Sequence, residues 1–119
     1  MTSFKDGPAA GKSLLLKRSP QFLRVVEADG EFDALDLIED RPRPRETCYA
    51  YELVEARGMM HLNMRDRKGK RCCGWYAVAD YRLVEPQPEQ AVMCDTAKWQ
   101  AWALAEAEAR AAKQPAGAK

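Results

Sequence analysis

Between Cys48 and Glu85, three runs rich in aromatic and branched residues, CYAYELVEA, MMHLNM and CCGWYAVADYRLVE, are separated by Arg57-Gly58 and by the basic turn DRKGKR. Aromatic and β-branched side chains suit a pleated, half-buried surface, and polar breaks carrying glycine suit tight reversals. The stretch therefore predicts an antiparallel three-stranded meander. Alternation inside the runs supports it, because Tyr49, Tyr51 and Leu53 fall on one face of the first strand and Cys48, Ala50, Glu52 and Val54 on the other. In the last strand Trp75, Ala77, Ala79, Tyr81 and Leu83 oppose Tyr76, Val78, Asp80, Arg82 and Val84.

The flanking sequence must supply whatever covers this sheet. Leu14 to Leu16 and Phe22 to Val26 lie on either side of Ser19-Pro20, and proline removes a ladder donor, so two short strands with a break are expected there. Asp29-Gly30 marks a turn. The segment EFDALDLIED then spaces Phe32, Leu35 and Ile38 by three, which predicts a short acidic helix over 32–40, ended by the Pro-Arg alternation from Asp40 to Arg45. Pro86-Gln87-Pro88 closes the sheet, and from Glu89 the residues are helix formers, with Pro88 or Asp95 marking a start. Trp99, Trp102 and Ala103 form the stripe that should dock, continued by Ala105, Ala109 and Ala112.

These elements add up to an α+β fold: an antiparallel sheet of about four to five strands built on the meander, a short acidic helix, and a C-terminal helix packed on the sheet. Residues 1–12, holding Gly7, Pro8 and Gly11, are expected to be a loose tail, 13–113 one domain, and 114–119 a frayed end. A chain of 119 residues, 46% hydrophobic and 31% charged, is long enough for one core and falls in the globular range. No apolar run reaches the roughly 20 residues that span a bilayer, so a cytoplasmic protein with four reduced cysteines is expected.

Nineteen basic against eighteen acidic residues leave a formal charge of +1, so no whole-molecule field gathers nucleic acid or an acidic membrane, and any charged partner must be met locally. One local cluster is basic: Arg65, Arg67, Lys68, Lys70 and Arg71 surround Gly69 and run into Trp75. A hairpin tip of that kind can contact phosphates while the aromatic beside it stacks on exposed bases, and Arg41, Arg43 and Arg45 would extend the patch if the fold brought them near. The plainer account is a solvated lysine-rich loop with Trp75 in the core. The other cluster is acidic: Glu27 to Asp40 holds seven carboxylates and no basic side chain, and Asp33, Asp36 and Asp40 would share a helix face able to meet a basic protein surface. Its plainer account is a solvated face that balances the basic turn.

Metal and catalytic chemistry find little purchase. There is no C-x-x-C pair to join His61 in a zinc site, and adjacent Cys72 and Cys73 point to opposite faces of a strand, so no metal or other cofactor is expected. A base and nucleophile pair of His61 with Cys72 or Cys73 is the one catalytic arrangement on offer, and the recognisable catalytic motifs are absent, which argues against an enzyme.

The succession of a short hydrophobic start, an acidic segment, Pro-Arg-Pro, Tyr-Ala-Tyr, Met-His-Leu-Asn, a basic glycine turn, Gly-Trp-Tyr-Ala-Val-Ala-Asp-Tyr and a closing Thr-Ala-Lys-Trp helix resembles small uncharacterised proteins encoded by phages and prophages of proteobacteria, over about residues 13–103. The resemblance implies a phage setting and no particular chemistry. Together with the acidic segment, it makes a non-catalytic binding or inhibitory protein with a protein partner the first expectation, and nucleic-acid binding through the basic turn the second.

Overall fold

A computed structural model describes residues 1–35, 41–66 and 68–113. Along the chain come β1 (Thr2–Phe4), β2 (Ser13–Leu14), β3 (Phe22–Ala28), β4 (Glu31–Leu35), β5 (Thr47–Arg65), β6 (Arg71–Leu83), α1 (Gln90–Met93) and α2 (Thr96–Lys113). The class is α+β with sheet predominating, as a single six-stranded sheet in the order β2-β1-β6-β5-β3-β4. The sheet is mixed, since β1 runs parallel to β6 through Thr2↔Ala79 and Phe4↔Tyr81, whereas the other pairs are antiparallel. No helix among the described residues is long and apolar enough to cross a membrane.

The two faces of the sheet are covered by opposite ends of the chain. Phe4, Ala9, Leu16, Leu23, Val25, Tyr51, Ala79 and Tyr81 make one buried cluster, with Leu14 of β2 and Phe32 and Ala34 of β4 packed against it. Both edge strands thus lean over one cluster, which curls the sheet nearly into a barrel. Tyr51 is the pivot. Its hydroxyl donates to the Asp6 carbonyl and accepts from the Ala9 amide, each at 3.0 Å, and its ring meets Phe4 edge-on at 4.8 Å. Gly7 adopts φ 73° there, where a Cβ would lie 2.7 Å from the Tyr51 oxygen, so glycine is required twice over. Residues 1–12, expected to be a loose tail, therefore contribute a strand and a core segment, because ties to β5 and β6 offset the ordering cost that their composition suggested.

The second cluster holds Phe22, Val26, Cys48, Ala50, Val84, Met93 and Trp99 beneath the C-terminal helices. Asp95 caps α2, accepting from the Lys98 amide at 3.0 Å, and this bond holds its carboxyl below the usual range. Trp99, Trp102 and Ala103 dock as the sequence stripe required. Their continuation runs through Ala107 and Arg110, while Ala105, Ala109 and Ala112 face solvent. Arg110 bonds Glu106 at 2.7 Å and Glu52 of β5 at 3.1 Å, and the Glu52 bond raises its pKa above the ordinary value.

Two further expectations are corrected. The meander is a hairpin of two long strands: Arg57-Gly58 reverses nothing, and β5 continues past it opposite β6. The register steps by one residue between Leu53 and Glu55 and again between Ala56 and Met59, so Val54 and Gly58, with φ 100°, are absorbed as bulges. The acidic segment over Glu31–Leu35 is a strand and not a helix, because Asp29 and Gly30, at φ 54° and 81°, fold a two-residue turn that lays it antiparallel on β3. The rest of that expected helix, 36–40, lies outside the described residues, as does the expected fraying of 114–119.

Candidate functional site

The hairpin outgrows the sheet that supports it. Strand β3 pairs with β5 only from Thr47 to Glu52, and β1 pairs with β6 only from Ala79 to Tyr81. Beyond Met59↔Ala77 the two strands carry on as a ribbon to Arg65↔Arg71. In that arm Met59, Met60 and Met64 are 51%, 37% and 44% exposed, and Trp75 is 59% exposed. The radius of gyration, 14.9 Å, exceeds the roughly 13.5 Å expected of a compact chain of this length, as a projecting arm requires.

Alternation and register sort the arm into two faces. On one lie Met60, Leu62 and Met64 opposite Tyr76, Gly74 and Cys72, with the Lys17 ammonium 4.2 Å above the Tyr76 ring near its base. On the other lie Met59, His61, Asn63 and Arg65 with Arg71, Cys73 and Trp75. Here His61 and Trp75, directly cross-strand, meet edge to face at 5.3 Å and 74°. The Arg71 guanidinium donates to Asn63 Oδ1 at 3.2 and 3.3 Å, and Arg65 donates to the Gly69 carbonyl at 3.0 Å. Each arginine retains N–H donors beyond those used.

At the tip, Asp66 is committed to the backbone. Its carboxylate accepts from the amides of Lys68 at 2.9 Å and Lys70 at 2.8 Å, while its own amide donates to the Lys70 carbonyl at 2.8 Å and its carbonyl accepts from Gly69 at 3.0 Å. Gly69 takes the left-handed φ of 79° that closes such a loop. Among the described residues no carboxylate forms an ion pair with Arg65, Lys68, Lys70 or Arg71. Their charge faces solvent.

Of the basic set, Arg65, Lys68, Lys70 and Arg71 come together at the tip with Trp75 further down one face, and Arg67 lies outside the described residues. Trp75, placed by its alternation with the core residues Ala77, Ala79 and Tyr81, is in the open because the sheet beneath it has ended. Arg41, Arg43 and Arg45 precede Thr47, at the opposite end of β5 from the tip, so the patch does not extend to them. Glu27, Asp29, Glu31 and Asp33 lie on the β3–β4 hairpin, whose turn is beside Thr47 and so also at the far end. Asp33 is exposed and accepts from the Ala34 amide at 2.8 Å, whereas Asp36 and Asp40 lie outside the described residues. The near-neutral chain is thereby divided into an acidic hairpin and a basic arm that do not neutralise each other. His61 and Asn63 went unnoticed in the sequence, although counting back from the DRKGKR turn sets them opposite Trp75 and Cys73.

No group of three His, Cys, Asp or Glu side chains able to hold a metal comes together among the described residues. The four cysteines are unpaired thiols, with Cys48 buried and Cys73 and Cys94 exposed. Burial pushes the Cys48 thiol from 9.0 up to about 12. In native protein, thiol reagents should therefore modify Cys73 and Cys94 quickly and reach Cys48 only on unfolding. Because the unfolded chain loses that proton first, stability should fall as pH rises from 9.0 to about 12, and Cys48→Ala should flatten the fall in urea titrations. Equal reactivity of all the thiols in the native state would contradict this burial.

Comparison with protein-family models, curated proteins and solved structures finds no match to this chain.

Proposed function

We propose that the protein is a non-catalytic nucleic-acid-binding module whose β5–β6 arm is the contact element. The observation that carries the reading is the un-neutralised tip: Lys68, Lys70, Arg65 and Arg71 project on a ribbon free of the sheet, and the nearby carboxylate, Asp66, is occupied by backbone amides. Long cationic side chains in this setting exchange counterions for phosphates and lose little on binding, since no internal ion pair among the described residues has to break. The acidic β3–β4 hairpin, at the other end of β5, repels the same ligand and so orients the arm towards it.

The test is binding of labelled single- and double-stranded DNA and RNA over a salt series. Affinity is expected to fall linearly on a logarithmic salt axis, with a slope of about −0.7 to −0.9 per phosphate contacted. Reversing Asp33 to Lys should leave binding intact or strengthen it. Binding that ignores salt would remove the phosphate contacts from this account.

A second reading has its own observation, the exposure of Met59, Met60 and Met64 on the same arm. Flexible, polarisable methionines suit a protein partner, and a phage-encoded factor that modulates its host by protein contacts would use such a face. Under this reading reversal of Asp33, Asp36 and Asp40 to Lys destroys activity, and reversal of the basic tip is nearly silent.

A further inference from the structure

We infer that the arm selects unpaired bases: its ligand is a single-stranded segment, DNA or RNA, with one base stacked on the Trp75 ring. The inference rests on the nucleic-acid reading of the arm and goes beyond it, because basic side chains alone bind duplex and single strand alike.

Trp75 is 59% exposed, an unusual place for the largest apolar side chain when its neighbours along β6, Tyr76 and Ala77, are buried. Its ring is nonetheless held. His61 stands directly across the ribbon and nearly perpendicular to it, at 74°, so this contact fixes the indole without laying a parallel ring upon it. The nearest cationic side chains on that face are positioned too: Arg71 is bound to Asn63, and Arg65 to the loop carbonyl of Gly69. From Trp75 to Arg71 the strand advances four residues, about 13 Å at a strand's rise per residue. One ribbon face thus offers a flat aromatic surface and, further along, guanidiniums for the backbone of the same strand. Aromatic platforms beside a cationic track are the arrangement by which single strands are bound without sequence preference, since every base has a π-face. In a duplex the bases are already stacked on one another and the ring has nothing to cover.

The experiment compares Trp75→Ala, Trp75→Phe and wild-type protein on a poly-pyrimidine single strand and on a duplex of equal length, with thermal melts to confirm folding. Wild type should prefer the single strand. Trp75→Ala should weaken single-strand binding by roughly 5- to 150-fold, the range for loss of one base stack, without changing the salt slope or duplex binding. Trp75→Phe should recover most of the affinity, and the fluorescence quenching that wild type shows with the single strand should be reduced in this variant even at saturation. Equal binding of duplex and single strand, indifferent to Trp75→Ala, would overturn the stacking inference and leave the basic arm as a general phosphate binder. Absence of binding to either ligand at low salt would overturn the nucleic-acid reading itself and return the exposed face to protein contacts.

Discussion

Trp99→Ala is expected to destabilise the protein by about 3–5 kcal/mol, a large part of the 5–15 kcal/mol that holds a typical domain together. Trp99 is 6% exposed, lies against Trp102 with ring centroids 5.1 Å apart, and belongs to the cluster that joins α2 to β3 and β5. Its removal leaves a cavity that two rigid elements cannot close. It also uncovers Arg24, a 1%-exposed side chain whose guanidinium lies 5.5 Å from the indole and donates to the Met93 carbonyl at 3.0 Å. Trp102 is only half-buried, so Trp102→Ala should cost distinctly less, although its ring also meets Phe22 edge-on at 5.1 Å. Urea titration of both variants checks the order. An unchanged midpoint for Trp99→Ala would mean that α2 is not docked through this residue.

The sequence carried the inner half of the hairpin and the docking of α2 because each rests on local periodicity. Tyr49, Tyr51 and Leu53 feed one cluster and Cys48 and Ala50 the other, as period-two alternation requires. What it could not carry depends on partners distant in the chain. Arg57-Gly58 has the same local signature whether glycine's positive φ closes a turn or absorbs a bulge, and only the register against Asp80 to Ala77 decides between them. Phe32, Leu35 and Ile38 spelled a helix through spacing, yet Ala34 on the same strand face as Phe32 was too small to register as the alternation that it is. The preceding Asp29-Gly30 turn was the better guide. Likewise Gly7 and Pro8 read as disorder because the packing of Phe4 and Ala9 against Tyr51 is a contact across more than forty residues. At the candidate site the basic residues were legible as a cluster, but the exposure of Trp75 was not. It follows from where β1 and β3 stop, and no residue near Trp75 encodes that.

Lys68→Glu combined with Lys70→Glu should weaken nucleic-acid binding by about 100-fold at moderate salt, if each lysine makes one charge-assisted contact worth about 1.5 kcal/mol. The salt slope should also flatten by roughly two contacts' worth. Folding should hardly notice, because the loop is built from backbone amides on the Asp66 carboxylate and from the left-handed Gly69, none of which involves the lysine side chains. Exposed charges of this kind contribute about 0–1 kcal/mol each to stability. Asp66→Ala is the complementary variant: it leaves every basic side chain in place but removes the acceptor that shapes the loop, so binding should fall through misplacement of the cations while the salt slope stays near that of wild type. A double reversal that melts normally and binds as wild type would show that the tip touches no phosphate, and the exposed methionines of the arm would then carry its contacts.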